Sequence, residues 1–183
     1  MKRILTILSL LPLVAYGQEL SSNTEKLQSL FKVEAGLLNA NAAYEVPLSK
    51  EKGLLEVSFG VGGIHQIEDG LYSYRVGWTS LNSYFSPYLQ TQWRYYVSRE
   101  RRAEKGRRLI NNAGSFVGLN NRLVLNGEIS DGVLLNHVVF GQQLPLDRHF
   151  TFTYHVGFGV GFNLVEGNAM LMPGLGFKFG YAF

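Results

Sequence analysis

The sequence predicts an all-β fold, a single closed antiparallel up-and-down barrel of eight strands that crosses a membrane. Three observations carry that expectation. Apolar residues alternate with small or polar ones through most of the chain after about residue 31, the period of a strand with two unlike faces. The face opposite the large apolar residues is rich in glycine and poor in charge, which suits the cramped interior of a narrow barrel better than the solvated side of a sandwich. Beyond the N-terminus no segment holds 18 consecutive apolar residues, so a crossing would be made by strands.

The N-terminal residues read as an export signal. Lys2 and Arg3 precede an apolar run from Ile4 to Val14, and Ala15-Tyr16-Gly17 puts small residues at the positions that precede cleavage before Gln18. The run is too short for a helix that spans a bilayer, which needs about 20 residues. The expected organisation is therefore a cleaved segment 1–17, a periplasmic segment 18–30 and a barrel over 31–183. Loss of Lys2 and Arg3 lowers the formal charge from +3 to +1, and a nearly neutral chain argues against nucleic-acid binding. With no cysteine there is neither a disulfide framework nor a thiolate metal site.

The strands follow in order. Val33, Ala35 and Leu37 are apolar at odd positions, but Ala40, Ala42, Tyr44, Val46 and Leu48 are apolar at even ones. A β-bulge near Asn39-Ala40-Asn41 would shift the face by one residue within a single strand. Two strands meeting there would each be short against the roughly 9–11 residues of a crossing, so the bulge is preferred. Leu55, Val57, Phe59 and Val61 oppose Glu56, Ser58, Gly60 and Gly62. Leu89, Thr91, Trp93, Tyr95 and Val97 oppose Gln90, Gln92, Arg94, Tyr96 and Ser98. Val117, Leu119, Leu123 and Leu125 oppose Gly118, Asn120, Arg122 and Asn126, although Asn121 falls on the apolar side. The run from Val133 to Gln143 is too uniformly apolar for its face to be assigned. Phe150, Phe152, Tyr154, Val156, Phe158, Val160, Phe162 and Leu164 alternate with threonine, His155, glycine and Asn163. Leu171, Pro173, Leu175, Phe177, Phe179, Tyr181 and Phe183 repeat the pattern. Seven strands are clear, and single-chain bacterial barrels have even numbers. The eighth is expected in 71–79 or 21–30.

The inward face collects ionisable groups: Glu56, Arg94, Arg122 and Lys178, with Glu34 or Glu45 as further members. Charges in a narrow lumen should pair, because an unpaired one loses hydration without compensation. They therefore read as a polar plug rather than an ion path. The segment 99–108 carries six basic and two acidic residues. Arg99, Arg101, Arg102, Lys105, Arg107 and Arg108 are candidates for contact with anionic head groups or lipopolysaccharide phosphates, with a solvated loop as the competing reading. Tyr72, Tyr74, Trp78, Tyr84, Phe85, Tyr88, Trp93, Tyr95 and Tyr96 gather around one strand, as the aromatic girdle of a membrane barrel would. None of His65, His137, His149 and His155 has a serine placed for catalysis, and acidic residues and histidines lack metal-ligand spacing. No catalytic residue, metal or cofactor is expected.

Ala43-Tyr44-Glu45-Val46-Pro47-Leu48, Ser86 to Tyr96, Lys105-Gly106-Arg107 and Asn111 to Phe116 together make the chain resemble the small outer-membrane β-barrel proteins of Bacteroidetes. The resemblance implies a barrel and an outer-membrane address, without a defined activity. Phe183, a terminal aromatic on an alternating strand with Phe179 and Tyr181, separately resembles the signal read by the barrel-assembly machinery during insertion. The expected function is a structural, adhesion or surface-interaction role among outer-membrane lipid and lipopolysaccharide. A narrow porin-like channel is the alternative, and a lipid-modifying barrel enzyme the third reading.

Overall fold

The computed structural model describes residues 26–36, 39–63, 65–67, 74–76, 85–125, 132–165 and 167–183. The expected export segment lies outside them, as do the first residues of the segment that follows it. The strands are β1 (Leu30–Gly36), β2 (Asn39–Pro47), β3 (Gly53–Gly63), β4 (His65–Ile67), β5 (Tyr74–Val76), β6 (Phe85–Tyr96), β7 (Gly114–Val124), β8 (Val133–Pro145), β9 (Phe150–Asn163) and β10 (Ala169–Ala182). One short helix, α1 (Arg99–Glu104), follows β6. Eight strands close into a barrel in the order β1-β10-β9-β8-β7-β6-β3-β2, every neighbour antiparallel, while β4 and β5 form a separate ribbon.

The eighth strand comes from splitting the expected first one, which corrects the bulge reading. β1 and β2 are a hairpin, with Glu34 opposite Asn41 and Leu30 opposite Glu45. Each pair joins an even number to an odd one, so the inward positions change parity across the connection. Lys32 and Glu34 face in from β1, whereas Asn41, Ala43 and Glu45 face in from β2. A hairpin in this register shifts the alternation just as a bulge does, so parity alone could not separate the two. Among the described residues of the two regions expected to hold the missing strand, 74–76 form β5 outside the barrel, 26–29 are not strand, and Leu30 opens β1.

β8 was unreadable because both of its faces are apolar. Val133, Leu135 and Val139 are buried inside, while Val138 and Phe140 point out. The interior at that end of the barrel is itself hydrophobic: Tyr88, Val124, Val133, Leu135 and Met172 pack together there. The outer wall carries the residues a soluble protein would hide. Phe158 is 65% exposed, Leu171 and Leu175 are each 73% exposed, and Phe31, Phe59, Trp93, Phe140 and Phe179 are exposed as well. Charge is inside and grease is outside.

One end of the barrel holds the turn 48–52, the linker 97–113 with α1, the turn 146–149 and Phe183; it is called the α1 end below. At the other end β1, β3, β7 and β9 finish and β2, β6, β8 and β10 begin.

Candidate functional site: the charged lumen

Alternation decides which side chains meet inside, since every second residue of a strand points the same way. Near the α1 end that rule brings three cations, Lys32, Arg94 and Lys178, against three carboxylates, Glu34, Glu45 and Glu56. Lys32 Nζ lies 2.8 Å from Glu34 and 2.7 Å from Glu45. Arg94 Nη1 donates to Glu45 at 2.9 Å and its Nη2 to Glu56. Lys178 Nζ donates to Glu34 and, at 3.0 Å, to Glu56. Five of the six ions have side chains at most 1% exposed, and Lys178 is 7% exposed. Equal numbers of each sign allow that burial, because an ion taken from water must recover its hydration from partners.

Neutral groups complete the set. Gln143 Oε1 accepts from Arg94 at 2.8 Å, from Thr153 at 3.2 Å and from Lys32 at 3.5 Å. Gln92 accepts from Arg94 Nε at 2.7 Å. Asn41 donates to Glu34 at 3.0 Å and accepts from the Tyr88 hydroxyl at 3.2 Å. Each barrel strand except β7 places a hydrogen-bonding side chain in this network. β7 supplies the Phe116 ring, 4.8 Å below the Arg94 guanidinium.

The α1 end is stoppered by the linker itself. Asn112, 2% exposed, inserts its amide and donates to Glu45 Oε2 at 2.7 Å and to the Gln28 carbonyl at 2.8 Å. Its oxygen accepts from the Gln28 amide at 2.9 Å. Gln143 Nε2 donates to the Asn111 carbonyl at 2.6 Å. Asn111 and Asn112 both have a φ of 53°, a left-handed turn that asparagine tolerates better than most residues and that aims Asn112 inward. Leu27, Leu54, Tyr96, Phe116 and Val139 pack as an apolar cluster beside the plug.

Of the expected lumen residues, Glu56, Arg94 and Lys178 meet in the cluster, and both Glu34 and Glu45 join them. Arg122 stands apart toward the opposite end, its Nε donating to Gln90 at 2.8 Å and its guanidinium 4.3 Å from the Tyr88 ring. Lys32, Asn112 and Gln143 were missed. Lys32 shares the parity of Glu34 and could have been read from it. Gln143 closes the run whose face was unassigned, and Asn112 sits in a loop where no period applies.

The basic segment divides into buried and exposed members. Arg99 and Arg102 are each 5% exposed and hold the plug: Arg99 donates to the Ala113 carbonyl at 2.8 Å, and Arg102 to the Arg108 carbonyl at 3.2 Å. Burial and the neighbouring Arg107 and Arg99 charges lower the Arg102 pKa from its ordinary value. Arg101, Lys105 and Arg107 are exposed and Arg108 is half-buried. A cleft of about 350 Å³ between the 48–52 turn and α1 is crossed by the Lys52–Glu100 ion pair at 2.8 Å.

His137, His149 and His155 each pack against the barrel. His149 Nδ1 lies 2.9 Å from the Ala182 carbonyl, and its ring stacks on Tyr181. His137 and His155 face the lumen and lie over glycines of β10. A Cβ at Gly176 would sit 2.5 Å from His155 Cε1, and one at Gly174 would sit 2.9 Å from His137 Cδ2, so glycine there makes room for the rings. Among the described residues no group of three or more histidines and carboxylates is arranged so that it could hold a metal ion. Phe31, Phe150, Tyr181 and Phe183 touch one another on the outer wall at the α1 end. Comparison with protein-family models, curated proteins and solved structures finds no match to this chain.

Proposed function

We propose that this chain is an integral barrel of a bacterial outer membrane, exported through residues 1–17, with a structural, adhesion or surface-interaction role and no catalysis. The observation that carries the reading is the inversion of the molecule: large apolar and aromatic side chains cover the outer wall while six ions neutralise one another inside. Water would penalise that wall, whereas hydrocarbon would not, and a closed barrel leaves no unpaired strand edge in it.

Membrane barrels keep short turns on the periplasmic side and longer loops outside. The long 64–84 connection supports placing the α1 end in the periplasm. Arg101, Lys105 and Arg107 then face phospholipid head groups of the inner leaflet rather than lipopolysaccharide. The aromatic cluster at Tyr181 and Phe183 fits the girdle on that side and the assembly signal that a terminal aromatic on an alternating strand resembles.

The test is electrophoretic and electrical. Protein from outer-membrane fractions should migrate differently before and after boiling, and recovery in the soluble periplasmic fraction would refute the reading. In planar bilayers the purified barrel should show no stable unitary openings, because the ion cluster and the Asn112 plug obstruct the lumen. Regular openings would favour the porin-like alternative.

A further inference from the structure

Three polar side chains stand in one cross-strand row on the outer wall. Thr91 of β6 lies opposite Asn121 of β7, and Asn121 lies opposite Asn136 of β8. Each has apolar outward neighbours two residues above and below on its own strand: Leu89 and Trp93, Leu119 and Leu123, Leu134 and Val138. The row is therefore inside the apolar belt and not at its rim. It is also confined to one sector, since the row continues into Val57 on β3 and Val160 on β9. Among the described residues, the outward positions of β1, β2, β3, β9 and β10 carry no amide. The other outward amide of this sector, Gln142, is already engaged, accepting from the Tyr154 hydroxyl at 2.7 Å.

In the membrane reading above, on which this inference rests, Asn121 and Asn136 face hydrocarbon that offers neither donors nor acceptors. A side-chain amide has two N–H groups and an oxygen with two lone pairs, so bonding between these two alone leaves groups on both unmet. An amide row holds donors and acceptors together, which makes it complementary to itself. Self-complementarity is what a two-fold contact between identical subunits requires. A second copy of the chain is the partner that brings the same row at the same depth.

We infer that the β6–β8 wall is the contact between two copies of this chain in the membrane, with the Thr91–Asn121–Asn136 rows hydrogen-bonded across a two-fold axis. The absence of native cysteine makes the test clean. Full-length single variants Asn121→Cys and Asn136→Cys, in outer membranes, are oxidised and compared with Val33→Cys on the far wall. At least one of the amide-row variants should give a linked dimer in several-fold higher yield than Val33→Cys. Equal yields from all three overturn the inference. A second variant, Asn121→Leu/Asn136→Leu, leaves the lumen intact and should keep its heat-dependent mobility. Its dimer dissociation constant in detergent should rise at least about tenfold, and an unchanged constant overturns the contact. A membrane-embedded monomer refutes the dimer alone, whereas a protein that never enters the membrane refutes both readings.

Discussion

The two halves of the lumen are dominated by different chemistry, buried ions toward the α1 end and an apolar cluster toward the other. Toward the α1 end, Lys32, Arg94 and Lys178 answer Glu34, Glu45 and Glu56. Toward the other end, Tyr88, Val124, Val133, Leu135 and Met172 fill the barrel by volume. Tyr88 joins the halves, its ring in the apolar cluster and its hydroxyl on Asn41, which in turn bonds Glu34. The halves should fail differently. An ion cluster depends on its full membership, because removing one partner strands a charge. An apolar cluster loses only the contacts of the atoms removed and the cavity they leave.

The sharpest way to break that contrast is Arg94→Met. It removes the donor to both Glu45 and Glu56, and unfolding from lipid vesicles in denaturant should show a loss of about 3–5 kcal/mol. Adding Glu56→Gln restores the balance of charge, so the double variant should recover part of the loss. If the double variant is no more stable than the single one, charge balance is not what holds this half together.

Leu135→Ala probes the other half. Leu135 is 3% exposed, and truncation should cost about 2–4 kcal/mol through transfer and cavity terms. A refilling change, Leu135→Met, should recover most of it, since volume is the requirement there. A Leu135→Met variant as weak as Leu135→Ala would show that shape matters in this half as much as partners do in the other.

The plug comes next in size. Asn112→Gly keeps the left-handed backbone relaxed while deleting the bonds to Glu45 and Gln28, and should cost about 1–3 kcal/mol by the same unfolding measurement. Asn112→Ala loses the same bonds and adds the strain of φ 53°, so it should be weaker by about a further 1 kcal/mol. Equal stability of the two variants would argue that the turn relaxes once the amide is gone.

The contrast between halves also explains what could be read in advance. β9 and β10 were legible because glycine, threonine and lysine on one side stand against phenylalanine, leucine and tyrosine on the other. β8 was not, because Val133 and Leu135 enter an apolar part of the interior and Val139 joins the apolar cluster beside the plug, while Val138 and Phe140 stand on an outer wall that is apolar too. Alternation reports a difference between two environments and falls silent when they match. At β1 and β2 the signal was present, but a hairpin in this register and a bulge write the same change of parity. The charges of the cluster were visible as inward residues, yet their pairing depends on the registers of non-sequential neighbours such as β1 with β10 and β3 with β6. Asn112 acts from a turn, where position follows from backbone conformation rather than from period.

The smallest effect should come from the ion pair outside the barrel. Lys52 and Glu100 approach to 2.8 Å, but their side chains are 41% and 66% exposed. The hydrogen bond and charge of Glu100 raise the Lys52 pKa, so any stabilisation is present while the lysine of the unfolded chain is protonated and is lost as pH rises through the folded value. Water and salt screen such a pair, and holding two long side chains together offsets much of its attraction. Lys52→Ala should leave the unfolding midpoint unchanged at neutral pH, in low salt and in high. A resolved, salt-sensitive loss would mean that the pair clamps α1 over the turn 48–52. The charged lumen would then extend its dependence on partners to the outside of the barrel.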